Sequence, residues 1–237
     1  MRKLSTTLLA LISGLISTQV LAETVSPQAE LYYQRALSDM ERAQQLLTGS
    51  NQISSMEVDA TRKSLNNNLE KATELGHPAA ALYQAQLTLG MASDDGETRQ
   101  QACTLLGSWA KKGFVAAAVV NFSQCNRAYL RFDFASPEHQ SALQTLTQSL
   151  TKNDPAQPYY PFSLATSLCF PADALKAVVL SQEQFRAEAE YMLGSSQEPT
   201  DAESTRHILT LLDSAADRGC QIPTGLRSAL RQQLRSQ

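Results

Sequence analysis

Apolar residues recur along this chain at three- and four-residue spacing, interrupted by short glycine turns and polar loops, and that rhythm predicts helix over most of its length. Residues 69–125 carry it most clearly, as helix, glycine turn, helix, polar loop, helix, glycine turn, helix. Ala72-Thr73, then Gly76, then Ala79-Ala80 recur as Trp109-Ala110, then Gly113, then Ala116-Ala117, so that the two glycines lie 37 residues apart. A period of that size belongs to a two-helix repeat, which cannot bury its apolar face alone and has to stack on its neighbours.

The other elements can be laid out around this unit. Ser26-Pro27 reads as cap and first turn of a helix over 27–47, with Ala29, Tyr33, Ala36, Leu37, Met40, Ala43 and Leu47 on one stripe. After a polar loop, a second helix over 56–75 places Val58, Leu65, Leu69, Ala72 and Leu75 on one face and stops at Gly76, a residue suited to the left-handed position beyond a helix end. His77-Pro78 opens a third helix, in which Ala79, Ala80 and Ala81 let a partner approach closely. A fourth over 98–112 turns Ala102, Leu105, Leu106 and Trp109 inward, and a fifth runs over 114–129.

Beyond Tyr129 the register weakens. Residues 130–135 read as a loop, and Ser136-Pro137-Glu138 opens a helix bearing Leu143, Leu146 and Leu150 that Asn153-Asp154-Pro155 ends. The stretch 158–162 leads into a helix ending near Cys169, and a further helical region, 172–193, breaks near Ser181. A helix over 201–218 recovers the repeat as Ala215-Ala216 and Gly219, and Pro223 opens a terminal helix with Leu226, Ala229, Leu230 and Leu234 inward and arginines outward. No stretch shows sustained strand alternation, so the expected fold is all-α: about nine or ten helices in antiparallel pairs, stacked as a solenoid.

On Ala102, Ala110, Gly113, Ala116 and Ala117, and again on Ala72, Gly76, Ala79 and Ala80, the chain resembles the Sel1-like repeats, relatives of the tetratricopeptide repeats. It departs from them at Gln84-Ala85, where the family has Leu-Gly, and at Thr73 and Trp109, each in place of a turn alanine. Its cysteines extend the likeness to disulfide-braced secreted members. The resemblance implies a curved surface that holds a protein or peptide, as an adaptor, a regulator or an inhibitor of an exported toxin. It implies a second possibility as well: binding of cell-wall material or weak β-lactam hydrolysis, as attributed to some cysteine-rich relatives.

The amino terminus sets the compartment. Arg2-Lys3, the apolar run 8–16 and Val20-Leu21-Ala22 form a secretory leader with a small-residue cleavage site, so residues 23–237 are the expected exported domain. The apolar run is too short to span a bilayer, and no cysteine follows the cleavage point to take a lipid. Periplasm is the expected location, with secretion the alternative. A formal charge of −3, with no long run of either sign, argues against nucleic acid as a partner.

An oxidising compartment favours disulfides among Cys103, Cys125, Cys169 and Cys220. Cys103 and Cys125 flank Gly113 at nearly equal distances, so on two helices joined there they sit at one height; they are the expected pair, which leaves Cys169 with Cys220. Metal ligation is the competing use, but the spacings hold no close Cys-x-x-Cys or histidine cluster.

Catalytic signatures are missing. His77, His139 and His207 are far apart, no hydrolase, zinc-protease or nucleotide motif occurs, and cysteines in disulfides supply no thiolate, so no catalytic residue, metal or cofactor is expected. Asp94-Asp95-Gly96-Glu97 lacks the spacing of a calcium loop and reads as a solvated linker. Two aromatic-rich stretches carry the residue types of binding hot spots: Tyr159, Tyr160 and Phe162 between prolines, and Arg127, Tyr129, Arg131 and Phe132 after the second repeat. The competing role for both is to pack the joints between helix pairs. The expected function is therefore a non-enzymatic protein-binding module of the cell envelope.

Overall fold

The computed structural model describes residues 25–48, 54–91, 96–171, 177–222 and 224–236. The expected leader, most of the 93–97 loop, residues 172–176 of the expected helical region and Pro223 lie outside them. The described residues form an all-α fold of ten helices: α1 (Pro27–Thr48), α2 (Ser55–Glu74), α3 (Pro78–Met91), α4 (Gly96–Lys111), α5 (Val115–Cys125), α6 (Arg127–Leu130), α7 (Pro137–Thr151), α8 (Gln182–Ser195), α9 (Ala202–Asp217) and α10 (Thr224–Ser236). No described helix is long and apolar enough to cross a membrane.

Each glycine turn ends its helix in the same way. Gly76, Gly113 and Gly219 have φ of +85°, +105° and +90°, a left-handed geometry that a side chain disfavours. The glycine N–H donates to Thr73, Ala110 or Ala216, and the next N–H donates to Ala72, Trp109 or Ala215, all at 2.9–3.1 Å. These paired bonds satisfy two of the carbonyls a helix end leaves open. The sequence that follows, Pro78-Ala79-Ala80-Ala81 or Val115-Ala116-Ala117-Ala118, is wholly buried.

Helices α1 to α5 each pack on the next. Arg42 meets Glu57 while Asp39 accepts from Ser64 and Asn68, so α1 and α2 run antiparallel. Helix α5 then ends the simple succession. Val115 to Val120 and Phe122 are all buried, and the helix contacts α3, α4, α7 and α8. A helix apolar on all sides belongs at the centre of a fold. A smaller apolar cluster, with Ile208, Leu212, Ala215 and Leu230, joins α9 and α10.

Both expected disulfides are present, Cys103–Cys125 and Cys169–Cys220. The structure corrects several expectations between and within the helices. The helix expected to end near Cys169 is absent; instead a 3₁₀ turn, Gln157–Tyr159, leads to a short strand, β1 (Phe162–Leu164). β1 pairs antiparallel with β2 (Val178–Leu180), within the region expected to be helical from 172, in the register Phe162↔Leu180 and Ser163↔Val179. Pro158, Pro161 and Pro171 each remove a helical donor there, and Val178-Val179 favours the extended backbone. The break expected near Ser181 is observed, with Ser181 and Gln184 forming a capping box. The fifth helix stops early because Asn126 leaves helical geometry and caps α6. Leu75 and Ala229, expected inward, are exposed.

Candidate functional site

Residues 126–136, between α5 and α7, leave the helix stack as a spur with a tightly tied base. The Asn126 Oδ1 accepts the Tyr129 N–H at 3.0 Å, and the Ala128 carbonyl accepts the Asp133 N–H at 2.8 Å. Ser136 caps α7 by accepting the His139 N–H at 3.2 Å, and its hydroxyl donates to the Asp133 carbonyl at 2.9 Å. The Gln140 amide donates to Phe134 O, and the Glu138 carboxylate accepts the Arg127 N–H at 2.9 Å while lying 3.8 Å from Arg131.

Beneath the spur lies His139, fully buried among Phe122, Tyr129 and Phe134. The Asn126 oxygen is occupied by Tyr129, so its amide nitrogen faces His139 Nδ1, at 3.1 Å, and donates to it. Nε2 therefore carries the proton and donates to the Ser196 carbonyl at 3.0 Å, tying the spur to the end of α8. No sequence motif signals this role; His139 reads only as a residue of a helix first turn.

The tip carries what the base does not need. Phe132 has φ of +57° and is 80% exposed, and Leu130 is 54% exposed. A non-glycine residue in left-handed geometry carries backbone strain, and a phenyl ring gains nothing from water. On one flank an open groove of about 940 Å³ runs along α4, past Gln101, Thr104, Leu105 and Ser108, to Cys125, Arg127 and Glu138. On the other, a hollow of about 410 Å³ lies between Phe132, Phe134, Gln140 and residues 196–198.

Three of the residues singled out from the sequence, Arg127, Arg131 and Phe132, thus meet on the spur, with Tyr129 packed under them. Tyr159, Tyr160 and Phe162 do not join them. Phe162 is fully buried between Tyr83, Phe114 and Tyr160 and has no surface to offer a partner. The Tyr160 hydroxyl donates to Asp154 at 2.7 Å and accepts the Ala116 N–H, and burial pushes its pKa far above the ordinary phenol value. Tyr159 donates to Glu30 at 2.9 Å; burial first, then that carboxylate, pushes its hydroxyl up to about 12. These rings close the joint where the 154–164 segment meets α1, α3 and the start of α5, because an aromatic ring fills an irregular gap with few torsions to order.

The same joint holds the second buried histidine. His77 Nδ1 accepts the Ala80 N–H at 3.3 Å, so Nε2 carries the proton toward Glu30, 3.2 Å away. Tyr33 and Tyr159 lie against the ring, at centroid distances of 4.1 and 4.5 Å. Burial pulls the His77 pKa down, against the pull of Glu30. Burial raises Glu30 too, but hydrogen bonds from Gln34, Tyr159 and His77 outweigh it and hold the carboxyl below its ordinary value. Among the described residues no group of three His, Cys, Asp or Glu is placed to hold a metal, and no cysteine is free. Compared with known protein families, curated proteins and solved structures, the chain matches none.

Proposed function

We propose that the chain is an exported binding module of the Sel1-like, tetratricopeptide-related kind, acting in the periplasm or after secretion, whose spur docks a protein or peptide of the cell envelope. The two disulfides support an oxidising compartment. The observation that carries the binding role is Phe132: a strained, solvent-facing phenyl ring held out on a base tied by backbone, side-chain and histidine hydrogen bonds. A backbone tied in advance loses little freedom on docking, which is how a rigid surface converts contact into affinity. Arg127 and Arg131 beside it supply the residue type that, with aromatics, dominates binding hot spots.

The test starts from affinity capture of the tagged exported domain from its native envelope, under non-reducing conditions, followed by titration of the purified partner. Phe132→Ala should weaken binding by roughly 30-fold, the effect of a central hot spot, without lowering the melting temperature. Equal affinity for the variant would remove the spur from the interface. β-lactam turnover by the pure protein, abolished by one substitution and with no protein complex formed, would favour the cell-wall alternative instead.

A further inference from the structure

The two disulfides occupy opposite environments. Cys169 and Cys220 are 0% and 6% exposed inside the α9 cluster. The fully buried Glu188 beside them accepts the Cys169 N–H at 3.1 Å and the Ser167 hydroxyl at 2.6 Å. A thiolate approaching this bond would have to enter an apolar interior and face a carboxylate. Cys103 and Cys125, by contrast, are both partly exposed, and Cys125 lines the 940 Å³ groove. Two cations beside the groove favour an incoming thiolate: Arg127 lines it two residues on, and the Arg99 guanidinium donates to the Gln124 carbonyl next to Cys125. Glu97 and Glu138 also line the groove, but Glu138 is engaged with the Arg127 N–H and Arg131.

We infer that Cys103–Cys125 is a thiol-exchange site of the folded protein, opened by a dithiol reductant that enters the groove, while Cys169–Cys220 remains closed as a structural bond. One thiolate of the dithiol attacks Cys125 Sγ from the groove side. The sulfur–sulfur bond breaks with its electron pair on Cys103, which takes up a proton, and Cys125 is held in a mixed disulfide. The second thiol of the reductant, after losing its proton, attacks its own sulfur in that mixed bond, closes the reductant's disulfide and releases Cys125 as a thiol. The protein cystine gains two electrons and two protons, and the dithiol loses the same.

The consequence follows from position. Cys125 is the last residue of α5 and directly precedes Asn126, whose carboxamide caps α6 and holds His139. The bond therefore ties the root of the spur to the middle of α4. Opening it leaves α5 packed in the core but removes the covalent anchor from residues 126–136. The chemistry stands on the two environments alone, while any effect on partner binding rests on the proposed role of the spur.

The experiment needs no partner. The native protein is incubated with dithiothreitol below the concentration that unfolds it, quenched by alkylation at intervals and mapped by mass spectrometry. Cys103 and Cys125 should be labelled at least about tenfold faster than Cys169 and Cys220, because exchange follows access to the sulfur. Hydrogen exchange on the selectively opened protein, and on the Cys103→Ser/Cys125→Ser double variant, should show lost protection at residues 127–140 with α8 and α9 unchanged. Labelling of all four cysteines together, or of Cys169 and Cys220 first, would overturn the exchange site; unchanged protection of 127–140 after selective opening would overturn its control of the spur. A spur that is controlled in this way yet tolerates Phe132→Ala in the binding assay would refute only the proposed interface.

Discussion

The Gly76 and Gly113 turns have the same backbone and the same pair of hydrogen bonds, yet the fold uses them differently. Gly76 faces open space: a Cβ built there meets nothing within 4 Å. At Gly113 the same atom would lie 2.7 Å from Lys152 Cβ and 2.8 Å from Asn153 O, because the turn after α7 rests directly on it. That second turn also delivers Asp154, which accepts the Val115 N–H at 3.2 Å and so caps α5 from 39 residues away. The residue after each glycine differs in kind. His77 is clasped by Glu30 and the tyrosines, whereas Phe114 is buried against Tyr160 and Phe162. One motif thus serves as a peripheral joint in one repeat and as the seat of the central helix in the next. The lesson is that a local turn motif specifies its own hydrogen bonds but not the load placed on it.

The largest expected effect separates the two glycines directly. Gly113→Ala combines the left-handed backbone penalty with a backbone overlap and should cost about 3–4 kcal/mol, against about 1 kcal/mol for Gly76→Ala, read as the difference in urea midpoints at constant slope. Equal costs would show that the α7 turn does not press on Gly113.

Asp154→Ala should come next. It strips a buried acceptor from the Val115 and Ala156 N–H groups and from the Tyr160 hydroxyl, a loss of about 2–3 kcal/mol by the same measurement. A cost below that of an exposed cap would mean that α5 is held by packing alone.

The smallest effect is one of pH, and its sign differs between the turns. His77 is depressed by burial, so as pH falls below its unfolded value of about 6.5 the unfolded chain takes the proton first and stability drops. Glu30 is also depressed, and its contribution, present above its unfolded value, is lost as pH falls through its folded one. Asp154 is raised, chiefly by burial, so the folded protein holds that proton more tightly and stability falls as pH rises from the unfolded to the folded value. Acidification therefore loosens the Gly76 joint while favouring the Gly113 seat. His77→Phe, which gives the first turn the residue type of the second, should flatten the loss of melting temperature between pH 7 and 5; an unchanged slope would place the acid sensitivity elsewhere.

Much of the helical framework was legible because its signals are local. Ser26-Pro27, Ser136-Pro137 and Ser181 mark helix starts, and the three glycines mark ends, each through hydrogen bonds within a few residues. The Cys103–Cys125 pair was legible for a related reason, since one turn sets the register of two helices. The stretch 156–180 misled because its apolar residues satisfy a helical period and a packed strand equally well, and only the prolines and paired valines favour the latter. The aromatic residues divided for a reason outside their own sequence. Phe162 and Phe132 sit in similar company along the chain, yet one is sealed against α3 and α5 and the other faces solvent.

By itself, then, the sequence determined the all-α class, the helix ends at the glycine turns and at the serine caps, and the disulfide pairing, all consequences of backbone bonding and short-range spacing. The tertiary structure alone decided that α5 is central, that Asp154 caps it, that His77 and His139 are buried clasps, and that Phe132 stands exposed at the tip of a spur. Those features depend on which distant segments meet, and the energy of such meetings comes from burial and long-range hydrogen bonds that no local pattern encodes.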